Sequence, residues 1–353
     1  MKLLILTQKV DQDDEILGFF HNWILEFSKH CDQLTIICLQ AGKYDFPDKI
    51  KVLSLGKETG ASSLKYTWRF YKYIWQERKN YDNVFVHMNQ IYVILGAWLW
   101  RLWHKKIALW YVHRQVSSKL RIAAKWTHLI FSVSKNSFRL VSAKLRLVGH
   151  GIDTKKFQCL DQKINADILR IISVGRITKI KDLKTLILAA SLLNNKLEQK
   201  FVVDIIGGPV TAEDKKYLAD LYKLVKEQNL EQIVNFTGAI SNAKMADIYC
   251  QSDILVNLAP TGGVDKVVLE AMSCKTPVLV ANQSFAPDFG EQASNLIFIH
   301  GDVDDLASKL QHLIQQSDSN ELGDFLRKQV VKNHELSRLI NKIVDEFQKC
   351  NQK

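Results

Sequence analysis

Two stretches in the second half of the chain carry side chains and turns suited to a charged, hydroxyl-bearing ligand. In VGRITKIKDLKTL an apolar strand ends at Gly175 and Arg176, and Lys181 follows in the same loop, ahead of a helix. Two cations beside the free N–H groups of a helix start make an anion site. In TGGVDKVVLEAMSCKTPVLV, Gly262 and Gly263 let the backbone approach a ligand, and a helix beginning near Val264, Asp265 and Lys266 aims its N–H groups at it. Glu270 lies further along that helix, offering two acceptor oxygens. A third turn, Gly207–Gly208–Pro209, closes the strand FVVDIIG. Each has a plain reading as well: a solvated loop in a lysine-rich protein, an acid compensating a helix dipole, a connector turn.

Other groups are weaker candidates. His87, His113 and His150 each end an apolar strand, where a packed, hydrogen-bonded histidine is the commoner occupant. Asp13, Asp14 and Glu15 form an acidic knot that suits acid–base work, a metal, acceptor hydroxyls or merely a solvated loop. The six cysteines (Cys31, Cys38, Cys159, Cys250, Cys274, Cys350) include no CxxC pair, and no His cluster has metal-ligand spacing. That pattern fits a reducing cytosol and argues against a disulfide framework and a zinc site. Neither a Walker-type lysine nor a GxGxxG after the first strand is present.

These residues need a scaffold, and the rhythm of the chain supplies one. KLLILT, LTIICL, KVLSL, NVFVH, IALWYVH, HLIFSVS and LRLVGH read as strands in the first half, with helices over Phe19–His30, Ser62–Lys79 and Val116–Trp126. LRIISVG, FVVDIIG, IVNFTG, DILVNL, PVLVA and LIFIH continue the pattern, separated by helices near Leu183–Asn194, Ala212–Glu227, Ala243–Gln251 and Val264–Cys274. Strands apolar on both faces and separated by helices imply parallel sheets covered on both sides, and two successive sets imply two doubly wound domains. The polar segment Lys155–Asp167 breaks the rhythm and reads as the hinge; a final helix, Glu335–Lys349, has no strand after it.

Of the net charge of +11, residues 1–160 hold 25 Lys and Arg against 12 Asp and Glu, a net of +13, whereas the remainder is slightly acidic. An acidic partner for the first half follows. In SLKYTWRFYKYIWQERK, cations alternate with aromatic rings, as anionic membrane surfaces and nucleic acids both favour. Nucleic acid would leave the second-half motifs without purpose. Trp98, Trp100 and Trp103 beside His104, Lys105 and Lys106 read as core with a basic rim, or as an interfacial anchor if exposed. The longest apolar run, Ile91–Trp100, is short of the roughly 20 residues a membrane span needs. The expected location is the cytoplasm, with attachment to the inner membrane face as a peripheral protein.

The second-half motifs, in order and spacing, resemble family 4 of the retaining glycosyltransferases. VGRITKIKDLKTLILAA is similar to that family's VGR…K-G-x-x-x-L segment, with Arg176 and Lys181 in register. IIGGPV, VNFTGAISNAKMADIYCQSDILVNLAP and VVLEAMSCKTPVL match the segments that follow. LRLVGHGIDTKKF resembles the end of the first domain, and LWYVH, ending at His113, resembles a T-x-H strand. The resemblance implies an α/β GT-B fold of two doubly wound Rossmann-like domains with a cleft between them. Residues 1–160 would bind the acceptor and 161–334 a nucleotide-sugar donor, with 335–353 a helix packing back on the first domain.

It also implies the chemistry: transfer of a hexose-type sugar from a UDP-sugar or GDP-sugar to a glycan or lipid-linked cell-envelope acceptor, with retention and no metal or other cofactor. Arg176 and Lys181 would neutralise the donor diphosphate, Glu270 would hold the ribose, Ala239 and Ile240 would meet the base, and His113 would face the sugar. Gly18 would let the first domain approach the donor. In one respect the chain departs from the family. Gly262 stands where the family has the first Glu of an E-G-F-G motif, and Asp265 where it has the last Gly, so Asp265 and Lys266 are candidates for the missing contacts with sugar hydroxyls. A sugar-nucleotide epimerase of the same fold and an inactive sugar-nucleotide-binding protein are the alternatives.

Overall fold

The computed structural model describes residues 1–14, 16–159, 168–261, 263–315 and 319–352. The chain divides into two compact units, Met1–Gly151 with Leu336–Lys353 and Ile152–Glu335. The first unit contains β1 (Lys2–Val10), α1 (Phe19–Ser28), β2 (Gln33–Ala41), β3 (Ile50–Ser54), α2 (Ser63–Gln76), β4 (Asn83–His87), α3 (Gln90–Leu102), β5 (Lys106–Trp110), α4 (Ser118–Trp126), β6 (Leu129–Ser132) and β7 (Leu145–Leu147). The second begins with β8 (Leu169–Val174), α5 (Leu183–Asn194), β9 (Phe201–Ile206), α6 (Ala212–Glu227), β10 (Val234–Gly238) and α7 (Met245–Cys250). It continues through β11 (Ile254–Asn257), α8 (Lys266–Ser273), β12 (Val278–Val280), α9 (Ala286–Phe289), α10 (Ala293–Leu296), α11 (Val303–Gln315) and α12 (Ser319–Asn333); α13 (Leu336–Asn351) then rejoins the first unit.

Every ladder is parallel. The first sheet has the order β3-β2-β1-β4-β5-β6-β7 and the second β10-β9-β8-β11-β12. In each, the strand order reverses beside the unit's first strand, which is the doubly wound arrangement. Alternate residues of the first sheet serve its two faces. Leu4, Leu6, Val84, Val86, Ile107 and Leu109 share a core with Phe70 and Ile74 of α2, Val93 and Trp100 of α3, and Leu120 of α4. On the other face Phe85 meets Phe27 of α1, and Phe131 meets Phe347 of α13.

Several expectations need correction. The last expected strand, LIFIH, contributes only a bridge from Ile297 to Val280, because its first residues close the turn of α10. The run Ile91–Trp100 is helical as part of α3, and its tryptophans separate: Trp100 is wholly buried and donates to the Tyr81 hydroxyl, whereas Trp98 is exposed. The units divide at Gly151, ahead of the polar segment, because Arg327 of α12 donates to the carbonyls of Thr154 and Phe157 and draws that stretch into the second unit. Residues 160–167 of the expected hinge lie outside the described residues. The cysteines contradict the sequence reading, since Cys159 and Cys250 are joined as a disulfide. The two are 91 residues apart, so no local spacing could signal a pair that only the fold brings together.

Deleting the buried Phe347 ring should destabilise the first unit by about 3–5 kcal/mol, the usual range for an aromatic-to-alanine change in a core. Urea denaturation of Phe347→Ala tests the magnitude. Hydrogen exchange should show α1 and α13, which pack together, losing protection in step.

Candidate functional site

In the second sheet the strand order reverses between β8 and β11. Ligands of doubly wound sheets sit beyond the carboxyl ends of the strands at such a point. The two loops leaving it are Gly175–Asp182 and Leu258–Asp265, the same loops that carry the cation pair and the glycine turn. Neighbouring turns are laced to them by backbone bonds: Gly175 N–H donates to the carbonyl of Ile206, Ile177 N–H to Gly208, and Gly207 N–H to Gly238. This lacing explains one glycine. At Gly207, φ is +139° and an added Cβ would lie 1.9 Å from the Gly175 carbonyl oxygen, so only glycine fits.

Lys181 Nζ lies 2.8 Å from Asp265 Oδ2, and the amide of Asn257, at the end of β11, donates to the same oxygen at 3.0 Å. Asp265 occupies the N-cap of α8, yet its side chain caps no N–H. By contrast Ser62, Asn89, Ser117 and Thr211 all accept from their helices. A capping aspartate ordinarily accepts from the second or third helical N–H. Here the carboxylate turns to Lys181 and Asn257 and not to the first N–H groups of α8. Asn257 Oδ1 is buried and has no hydrogen-bond partner among the described residues. A buried acceptor without a donor is costly, and a ligand donor would relieve it. Arg176 is exposed on the same loop as Lys181.

Glu270 is 5% exposed. Tyr249 of α7 donates its hydroxyl to Glu270 Oε2 at 3.0 Å. Burial pushes the Glu270 carboxyl up to about 7, opposed by the charges of Lys266 and Lys156 and by the Tyr249 bond. Burial likewise pushes the Lys266 ammonium down to about 7, opposed by the Glu270 charge. Lys266 sits one helical turn from Glu270, so the pair titrates together. The same carboxylate holds the buried Tyr249 hydroxyl far above its ordinary range, after burial itself.

Of the remaining candidates in this unit, Gly263 offers its carbonyl to Asn282, Val264 is buried, and Ala239 and Ile240 follow β10 with Ala239 exposed. Gly262 lies outside the described residues. In the first unit His113 is exposed after β5 and accepts from the Gln115 N–H. Gly18 precedes α1, where a Cβ would meet the Asp14 carbonyl oxygen at 2.5 Å, so a close turn accounts for this glycine. Lys9 neutralises both Asp11 and Asp14, and Asp14 also accepts from the N–H groups of Ile16 and Leu17, so that Asp14 of the acidic knot belongs to a built turn. Glu15 lies outside the described residues. His87 pairs with Thr7 and stacks on Phe20. Asn257, Tyr249 and Lys156 were not singled out in the sequence; DILVNL gave Asn257 a strand-end position, and nothing marked the other two.

Comparison with known proteins adds an independent reading. A family model described as glycosyl transferases group 1 matches residues 154–333, more than half of the chain. Among curated proteins, the sulfoquinovosyl transferase SQD2 of Arabidopsis thaliana is 28% identical over 54% of this chain and 37% of its own length. A D-inositol 3-phosphate glycosyltransferase of Catenulispora acidiphila is 25% identical over 52% of this chain and 44% of its own. The matches thus span less than half of these relatives. Among solved structures, the HepE protein of Anabaena in complex with UDP superimposes with a TM-score of 0.78 at 16% identity, covering 99% of this chain and all of that one. Sucrose-phosphate synthase of Thermosynechococcus elongatus gives 0.76 at 16% identity, covering 100% of both. At such identities the likeness speaks for the fold, two Rossmann-like units of the GT-B kind.

The Glu270 carboxyl holds its proton to a higher pH folded than unfolded, so its contribution to stability falls as pH rises from about 4.5 toward about 7. Glu270→Gln should remove or reverse that decline. Urea melts of both proteins at pH 5 and pH 7 check it.

Proposed function

The chain belongs to the group 1 glycosyl transferases, and on that premise we propose that it transfers a hexose from a nucleoside-diphosphate sugar to a glycan or lipid-linked acceptor with retention of configuration. The observation that carries this reading is the pair of loops at the switch point of the second sheet, where Lys181 meets Asp265 at the N-terminus of α8 and Arg176 stands on the same loop as Lys181. Their role is to stabilise the negative charge that grows on the diphosphate as it departs, which is worth a few kcal/mol per well-placed donor. The bond from the anomeric carbon to the phosphate oxygen breaks as the bond to the acceptor oxygen forms on the same face. The acceptor proton passes to the leaving phosphate. No metal has a part in this scheme.

Glu270 accepts from the ribose hydroxyls, Ala239 and Ile240 meet the base, and Asp265 with Lys266 takes the sugar contacts that Gly262 cannot make. His113 is assigned to recognition of the sugar. Gly18 is assigned to its own turn instead. UDP, the nucleotide held by the Anabaena protein, is the first nucleotide to test, with GDP second.

The first unit favours an acceptor at an anionic membrane surface, with the protein peripheral on its cytoplasmic side. The helices α2, α3 and α4, which share one core, together carry seven Lys and Arg and no Asp or Glu. Trp68, Trp75, Trp98, Leu102 and Trp126 are exposed on them, with Lys72 over Trp68 and Arg78 over Trp75. Exposed tryptophans amid cations suit the headgroup region of a bilayer. Among the described residues no helix is long and apolar enough to cross one.

UDP or GDP at 100 times its dissociation constant should stabilise the protein by about 2.7 kcal/mol, and Arg176→Ala or Lys181→Ala should abolish the thermal shift. A full response in both variants would sink the diphosphate site. Asp265→Asn separates the roles of that carboxylate: tighter UDP binding with weaker added affinity for the sugar marks a hydroxyl acceptor, and equal gains for both mark a mere counter-ion to Lys181. Reversing Lys65, Lys72 and Lys125 to Glu should weaken flotation with phosphatidylglycerol vesicles. Unchanged flotation would dismiss the membrane surface.

A further inference from the structure

Three segments of the second unit bring sulfur atoms together behind Glu270. Cys159 follows the stretch pinned by Arg327, Cys250 ends α7, and Cys274 follows α8; their Sγ atoms all lie within 4.8 Å of one another. Cys159 and Cys250 are bonded and half-buried, whereas Cys274 is a buried free thiol. We propose that Cys159 and Cys250 form a thiol–disulfide exchange site that sets the stiffness of α7, and through it the order around Glu270.

The accessibility of the three sulfurs differs in the way such a site requires. The bonded pair is half-buried, and attack by a small thiol is assigned to it and not to the buried Cys274. Cys274 cannot readily attack it, because burial, helped by the Glu270 charge, pushes its thiol up to about 12 and the thiolate is the attacking species. The bond therefore exchanges with solution and does not shuffle internally. Both states are accommodated. Cys159 Sγ lies 3.0 Å from the Cys274 carbonyl oxygen, so on reduction the new thiol finds an acceptor in place.

What the bond adds can be read from what remains without it. Arg327 holds the carbonyls of Thr154 and Phe157, and the Ser273 hydroxyl donates to Phe157 at 2.7 Å, so the stretch before Cys159 is anchored in either state. The disulfide ties the last residue of α7, a helix of six residues, to that anchor. Tyr249, next to Cys250, holds Glu270, and α7 begins directly after the turn Asn242–Lys244 that follows Ala239 and Ile240. Reduction would loosen the helix that connects the proposed ribose and base contacts, a consequence that rests on the donor-site reading above. In the forward step a small disulfide is attacked by one cysteine thiolate, releasing one thiol. The second cysteine then displaces the other, so two protein thiols and one disulfide become one protein disulfide and two small thiols.

The test equilibrates the full chain with glutathione at graded ratios of disulfide to thiol, then maps cross-links by alkylation and peptide mass spectrometry. Amide exchange of α7 and UDP affinity by calorimetry are read on the same samples. Expected are a Cys159–Cys250 cross-link at the oxidised end, weaker protection of α7 at the reduced end, and UDP affinity lower there by at least about fivefold, the low end of ordinary coupling between linked sites. Cys159→Ser and Cys250→Ser should match reduced protein at every ratio. The proposal is overturned if both cysteines alkylate throughout the series, if the cross-link forms without altering α7 exchange, or if stoichiometric zinc co-purifies and shields the three thiols. If neither state binds UDP or GDP, the donor-site reading fails, and the exchange site is judged on cross-link and α7 protection alone.

Discussion

A carboxylate held inside a helix at 5% exposure organises the middle of the second unit. Taking Glu270 out of water is unfavourable by several kcal/mol unless polar groups surround it. The chain meets that need from three directions: the Tyr249 hydroxyl from α7, the Lys266 ammonium one turn earlier on α8, and the charge of Lys156 from the stretch after Ile152. Each of these is itself unfavourable to bury, and Lys266 and Tyr249 are displaced far from their ordinary acidities by the same environment. Simple packing would be served better by a leucine at this position. The polar cluster is understandable if the carboxylate has an external partner, because an acceptor whose surroundings are already fixed loses little freedom when hydroxyl groups reach it.

The parallel sheet determines where such a partner can come from. All the strands of the second sheet point their carboxyl ends the same way, and the helices that follow them start there. Reversal of strand order between β8 and β11 opens a crevice beyond the carboxyl ends of those strands. Both cation-bearing and glycine-bearing loops leave from that place, so residues 84 positions apart, Lys181 and Asp265, come within 2.8 Å.

Much of this was legible in the sequence because it rests on periodicity and on local turn chemistry. The apolar runs of all five second-unit strands, the helices between them and the loop positions of Arg176, Lys181 and Glu270 are properties of short stretches, and these the sequence displays. Other features depend on long-range placement, which leaves no local mark. Tyr249 reads as one more core aromatic until α7 is laid beside α8. Cys159 and Cys250 read as scattered thiols until the stretch after Ile152 is drawn in by Arg327. Asp265 is instructive in a different way: as a sequence residue it looks like a helix-start acid, and it does stand at the N-cap, yet a lysine 84 positions earlier takes its carboxylate away from that task. Local preference was overridden by a stronger partner.

The Lys181–Asp265 pair bears on whether an anion site can work there at all, since the lysine already has a counter-ion. The two side chains retain 23% and 36% exposure. Pairs that wet contribute about 0–1 kcal/mol, and salt weakens them further. A diphosphate brings more than one negative charge and several acceptor oxygens to the same lysine, to Arg176 and to the N–H groups of α8, and hydrogen bonds between ions are the strong ones. On the proposed reading, exchange of one counter-ion for the other would be favourable for Lys181, and Asp265 would keep the bond that the Asn257 amide donates to it. In the absence of ligand the aspartate spares the lysine an unbalanced, partly desolvated charge. Were a diphosphate to bind there as proposed, the carboxylate would be released beside it, where it could accept from hydroxyl groups of whatever the diphosphate carries.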